Sequence, residues 1–289
     1  MIQRIPTPFG KTRAYSENAS PADSYAERVV VVPGYSEGIT HNKSLVRALA
    51  QKGFNAITFG QPRRADKNIE RVRDPIERQG DVLLSLIEAT VTDGEKVHVV
   101  AHSLGSAAIL RAAQTAPEHF SSITLMQPLG MGGQQTLTEM ASHVNRKTLR
   151  NHRLALRAQV PSTETPQGYA ARPDKESALK HFVRVAKAQV AGGNVLLTQP
   201  VLAVKEALAS GKYEIADDIA AVTELGIPVN IVVAHSDEMF DADLVAKGYE
   251  KSIHTASSFS SVADPEAGHD TAWMQPERTA QIVESLIRK

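Results

Sequence analysis

Three residue types in this chain could together carry nucleophilic catalysis. They are a serine set between small residues, histidines able to take its proton, and carboxylates able to orient a histidine. The serine is Ser103, in Val97-His98-Val99-Val100-Ala101-His102-Ser103-Leu104-Gly105-Ser106-Ala107-Ala108. A β-branched run stops at a small-x-Ser-x-Gly pentapeptide and an Ala-rich stretch follows at once, which predicts a strand, a sharp turn and a helix with the hydroxyl at the apex. Such a turn lifts the hydroxyl out of the sheet and aims backbone N–H groups of the new helix at the same point. Ala101 stands where the common form of the pattern has glycine. A serine in such a turn can also do no more than cap a helix, so its chemistry depends on what else reaches it. Serine needs a base within hydrogen-bond reach and an acid behind that base. Histidine, which titrates near neutrality, suits the first task.

The chain has ten histidines, so most must be structural or on the surface. His102 adjoins the serine, but neighbours in such a turn point apart, and a packed or hydrogen-bonded histidine is expected there. His269 follows Gly268 and precedes a helix; His235 is its rival. Among the acids, Asp237 comes directly after a strand end, with Asp241, Asp264 and Asp270 as rivals. Asp270 is too close in sequence to His269 to orient it.

The elements that must position these residues can be read from the hydrophobic pattern. Residues 1–16 predict two short strands around a Pro8-Phe9-Gly10-Lys11 turn. Val29-Val30-Val31-Val32 is a continuous apolar run, as in a strand buried on both faces of a parallel sheet, and it ends at Pro33-Gly34-Tyr35-Ser36-Glu37-Gly38. A helix from about Asn42 to Lys52, a strand from Phe54 to Phe59, a helix from Asp81 to Ala89 and a strand at Ile123–Met126 follow. Alternating strands and helices predict parallel βαβ units. Ile227–Ala234 reads as a later strand, and Pro276 opens a last helix with Ala280, Val283, Leu286 and Ile287 on one face. Ser103, Asp237 and His269 therefore each lie just past a predicted strand end, where open parallel sheets bind ligands.

In the order nucleophile, acid, histidine, the chain resembles the α/β-hydrolase superfamily over about residues 25–130 and 215–289. Pro33-Gly34-Tyr35 is also similar to the bacterial cutinase-like polyester hydrolases, which lack the large insertion seen here. The resemblance implies an α/β fold with a mostly parallel sheet flanked by helices. It also implies a triad of Ser103, Asp237 and His269, with the backbone N–H groups of Leu104 and Tyr35 as the oxyanion hole. It implies a serine hydrolase, carboxylesterase-like, that cleaves esters through an acyl-enzyme. Acyl transfer, perhydrolysis, hydrolysis of thioesters, amides or carbon–carbon bonds, and a non-catalytic ligand receptor are the alternatives on the same fold.

Between about Gly130 and Ala221 the strand signal fades. The expected division is a core of 1–129 and 222–289 and a helical cap of 130–221 over the site. Leu179, Phe182, Val183, Ala186 and Val190 share an apolar face, with Leu179 and Phe182 expected to contact substrate. Val201, Leu202, Lys205 and Leu208 read as another short helix. Arg146, Arg150, Arg153 and Arg157 recur at helical spacing; a solvated face is the expectation, an anion dock the alternative.

Composition narrows the classes further. Lysine plus arginine equals aspartate plus glutamate at 32 each, which gives no reason to expect a nucleic-acid partner. Cysteine is absent, which excludes disulfides, thiolate zinc and a cysteine nucleophile. His235-x-Asp237 lacks a third ligand nearby, and no glycine-rich phosphate loop follows a strand. No metal and no cofactor are expected, and the resemblance implies a small-molecule ester as partner. The first eight residues lack the apolar core of a signal peptide and no run approaches the ~20 apolar residues of a span, so a cytoplasmic location is expected.

Overall fold

The computed structural model describes residues 1–19, 26–35, 37–60, 74–91, 94–131, 200–234 and 268–288, with shorter pieces at 135–136, 138–139, 142, 146, 237, 239, 250 and 256–262. Its strands are β1 (Ile2–Thr7), β2 (Gly10–Glu17), β3 (Arg28–Val32), β4 (Asn55–Phe59), β5 (Val97–His102), β6 (Phe120–Met126), β7 (Val229–Ala234) and β8 (Ser258–Val262). They form one sheet in the order β1-β2-β4-β3-β5-β6-β7-β8. The pairs β1–β2 and β2–β4 are antiparallel, and every other pair is parallel. The fold is thus the expected α/β class with a mostly parallel sheet.

Helices cover both faces, which is why the central strands are apolar at consecutive positions. In β3, Val30 and Val32 pack on one side with Leu83, Leu86 and Ile87 of α2 (Pro75–Glu88) and Ile109 of α3 (Leu104–Thr115). Val29 and Val31 pack on the other with Leu45 and Leu49 of α1 (Ile39–Gln51) and Val283 of α7 (Pro276–Ile287). Further α-helices are α4 (Pro200–Lys212), α5 (Ala216–Glu224) and the short α6 (Thr271–Met274).

Two helices begin earlier than their apolar periodicity suggests. The helix α1 starts at Ile39 rather than Asn42. The helix α2 starts at Pro75 rather than Asp81, because the Asp74 carboxylate accepts hydrogen bonds from the N–H groups of Ile76 and Glu77 at 2.9 and 3.1 Å and Pro75 suits the first helical position. Local capping chemistry set those ends, and periodicity does not register it.

In the region after Gly130, α4 lies against α2, with Leu202 and Glu206 buried and the Gln79 Nε2 donating to Glu206 Oε1 at 2.6 Å. Val201, Val204 and Leu208 are exposed. The helix α5 spans residues on both sides of position 221 and packs on α3 and β7. Leu179, Phe182, Arg150, Arg153 and Arg157 lie outside the described residues; Arg146 is helical and exposed.

Candidate active site

Ser103 occupies the turn between β5 and α3 with φ 50° and ψ −121°. That backbone region costs a non-glycine residue about 1–3 kcal/mol, so surrounding structure must hold it. Its N–H donates to the Met126 carbonyl at 3.1 Å, and its carbonyl accepts from Ser106 and Leu129 at 3.0 and 3.2 Å. Close approach explains the small neighbours. A Cβ on Gly105 would sit 2.7 Å from the Pro33 carbonyl oxygen, and one on Gly34 would sit 3.1 Å from Ser103 Cβ. The loop after β3 is therefore pressed against the serine turn.

The parallel register sets the ends of β5 and β7 on either side of β6. Asp237 follows β7 by three residues; its N–H donates to the Ala234 carbonyl at 3.3 Å and its Oδ1 accepts the Met239 N–H at 2.8 Å. The His269 Nδ1 lies 3.1 and 3.0 Å from Asp237 Oδ1 and Oδ2. The His269 Nε2 lies 2.9 Å from Ser103 Oγ. An ionised carboxylate only accepts, so Nδ1 carries the hydrogen and Nε2 is left to accept the serine proton. Both rings of contact are sealed from water: Ser103 is 7 % exposed and His269 2 %.

The structure thus brings Ser103, His269 and Asp237 together. Leu104 follows the serine as the first residue of α3, and Tyr35 follows Gly34 in the loop after β3. Leu104 packs with Ile76, Ala107 and Leu129, and Tyr35, Ala209, Tyr213 and Met239 border the same apolar cluster. His235, Asp241 and Asp264, the rival base and acids, lie outside the described residues.

His102 is hydrogen-bonded, as expected, but its partner was not anticipated. Its Nδ1 lies 2.6 Å from Glu37 Oε1 and its Nε2 lies 2.7 Å from the carbonyl of His269. The second Glu37 oxygen accepts the Gly34 N–H at 2.8 Å. Burial pushes the Glu37 carboxyl up, but the charge and hydrogen bond of His102 outweigh it and hold the group at about 2. Burial pushes His102 down, and the charge and hydrogen bond of Glu37, with Asp270 and the His269 carbonyl, outweigh it and raise it. No spacing in the sequence links positions 37 and 102; only the pairing of β3 with β5 does.

Two further features arise only in the fold. His102, His269 and Asp270 place potential ligand atoms within 4.8 Å of one another. A cation there fits poorly, because both ring nitrogens of each histidine already have hydrogen-bond partners. Gln127, directly after β6, has φ 43°, is 1 % exposed, and has no hydrogen-bond partner at either amide atom. A buried polar group left so costs about 1–3 kcal/mol, and the sequence signals nothing unusual there.

A model of the alpha/beta hydrolase family matches residues 29–282. The chain belongs to the alpha/beta hydrolase family. Solved structures agree on the fold of this hydrolase-family member. A carboxylesterase of Nitrososphaera gargenis is 14 % identical with a TM-score of 0.64, and the alignment covers 99 % of this chain and 98 % of that one. A thermophilic esterase of Thermogutta terrifontis is 16 % identical with a TM-score of 0.62, over 100 % and 98 % of the two chains. A bromoperoxidase of Bacillus anthracis is 13 % identical with a TM-score of 0.67, over 100 % of both. At such identities the likeness concerns the fold alone. No curated protein matches the sequence.

Proposed function

We propose that this alpha/beta hydrolase is a serine esterase that cleaves carboxylic esters through an acyl-enzyme. The observation that carries the proposal is the His269 imidazole, set between Ser103 Oγ at 2.9 Å and the Asp237 carboxylate at 3.0 Å. His269 takes the serine proton as Ser103 Oγ attacks the ester carbonyl carbon, then gives that proton to the departing alcohol. Water, deprotonated by His269, attacks the acyl-enzyme and releases the acid. Asp237 holds the ring orientation and stabilises the imidazolium. The N–H groups of Leu104 and Tyr35 receive the oxyanion. Leu104 opens a helix, so its N–H has no intrahelical partner.

No step in this cycle needs a metal or cofactor. The apolar cluster that Leu104, the residue after the serine, forms with Leu129, Tyr35 and Met239 suits an acyl chain better than a charged one. Residues 130–221 form a lid over the core of 1–129 and 222–289 in this proposal, with Leu179 and Phe182 facing the acyl group.

The test is covalent labelling with an organophosphonate, read by peptide mass, beside hydrolysis of p-nitrophenyl esters of increasing chain length. A label on Ser103 and release of nitrophenol are expected. A binding protein on this fold would give neither, and product analysis with added alcohol or peroxide separates hydrolysis from transfer.

A further inference from the structure

The buried pair of Glu37 and His102 has no task in the acyl-transfer cycle. Glu37 is 5 % exposed and His102 2 %. Both groups facing the His102 ring are acceptors: a carboxylate oxygen at 2.6 Å and a backbone carbonyl at 2.7 Å. Each ring nitrogen must therefore carry a hydrogen, which makes His102 an imidazolium. A ring with both nitrogens donating to fixed acceptors cannot serve as a base. What it can do is hold.

Three segments far apart in sequence meet on this ring. Glu37 Oε2 accepts the Gly34 N–H, and the Glu37 N–H donates to the Gly34 carbonyl at 3.2 Å, so Glu37 closes the turn that contains Tyr35. His102 is peptide-bonded to Ser103. Its other nitrogen holds the backbone of His269, 167 residues away in sequence. Asp270, 4 % exposed, adds a second carboxylate beside the ring. On the far side of the loop, the His41 Nδ1 accepts the Gly38 N–H at 3.3 Å and its ring meets Trp273 edge-on at 5.1 Å.

We infer that Glu37 and His102 are positioning residues: one buried ion pair clamps the oxyanion loop, the nucleophile turn and the backbone of the base loop into a single unit. Asp237 orients the side chain of His269, and His102 fixes its main chain. This inference rests on the esterase reading of Ser103. Loss of the clamp lets three loops drift independently, and a misplacement of about 1 Å costs on the order of 100-fold in rate.

The test is the double variant Glu37→Leu/His102→Leu, which removes both charges at once and leaves no unpaired buried ion. Folding is read by circular dichroism and thermal unfolding, and activity by kcat and KM on p-nitrophenyl butyrate. A folded protein with kcat reduced on the order of 100-fold and KM little changed is expected. A folded protein with kcat within about twofold of the parent overturns the clamp. Glu37→Gln should recover most of what Glu37→Leu loses, since an amide can accept from Gly34 and donate to a neutral His102 that still holds the His269 carbonyl; equal losses overturn it. Nitrogen-15 NMR of the parent at neutral pH reads the ring directly, whether or not the variants fold. Two protonated His102 nitrogens are expected, and one bare nitrogen overturns the clamp. Undiminished hydrolysis by Ser103→Ala would instead overturn the esterase reading, with the NMR result standing by itself.

Discussion

Two acid–histidine pairs lie a ring's width apart in this protein, Asp237–His269 and Glu37–His102, with ring centroids 4.9 Å from one another. Each joins a carboxylate to an Nδ1, at 3.0 and 2.6 Å. They differ in what faces the other ring nitrogen. In His269 it is the Ser103 hydroxyl, which can give up its hydrogen, so the pair can move a proton. In His102 it is a carbonyl, which can only accept, so the proton is locked in place. In the proposed reading a carboxylate and an imidazole make a base in one loop and a clamp in the next, and the atom on the far side of the ring decides which.

The comparison can be broken most directly at the serine. Ser103→Ala should lower kcat on p-nitrophenyl esters on the order of 10⁶-fold with the fold intact, as in subtilisin; near-parental turnover by the folded variant would remove the mobile proton from the comparison. Asp237→Asn comes next, with a loss on the order of 10⁴-fold, because an amide orients the wrong tautomer. If it costs no more than the Glu37→Leu/His102→Leu double variant, then the two pairs act alike and the distinction fails.

Stability against pH sharpens it in another way. Glu37 is held at about 2 against an ordinary 4.5, so its contribution is present above 4.5 and is lost as pH falls through about 2. His102 is raised above its ordinary 6.5, so its contribution is complete below 6.5 and is lost as pH rises through the raised value. The parent's advantage in thermal unfolding over Glu37→Gln should therefore be greatest between about 4.5 and 6.5 and shrink on either side. An advantage independent of pH would mean that the charge on the pair does not matter.

The smallest effect is expected far from both pairs. Arg146→Glu with Arg150→Glu should leave kcat and KM on a neutral ester unchanged, since a basic stripe at helical spacing is expected to be solvated. A large loss would mean that this stripe reaches the site.

The meeting of Ser103, His269 and Asp237 was legible because the signals that mark these residues are local. The turn at Ser103 needs small residues on both sides, and Ala101 and Gly105 supply them. Asp237 and His269 each follow a strand end, where a parallel sheet gathers its loops. The strands showed through because a sheet covered on both faces demands unbroken apolar runs, as in Val29–Val32. The start of α2 does not show in the hydrophobic period because a cap at Asp74 leaves no periodic trace. Glu37 is not legible in the sequence because a single carboxylate in a loop has no signature; its partner lies 65 residues on.

Sequence alone determined the residue types, the strand-end placement and the order of Ser103, Asp237 and His269, since those follow from local sterics and hydrophobic period. The tertiary structure decided the rest. It chose which nitrogen of each histidine meets an acceptor or a hydroxyl. It buried Glu37 against a charge that its own segment does not contain, and left the Gln127 amide without a partner. These are contacts between strands adjacent in space and distant in sequence, and the order of strands in the sheet, β4-β3-β5-β6-β7, is what makes them neighbours.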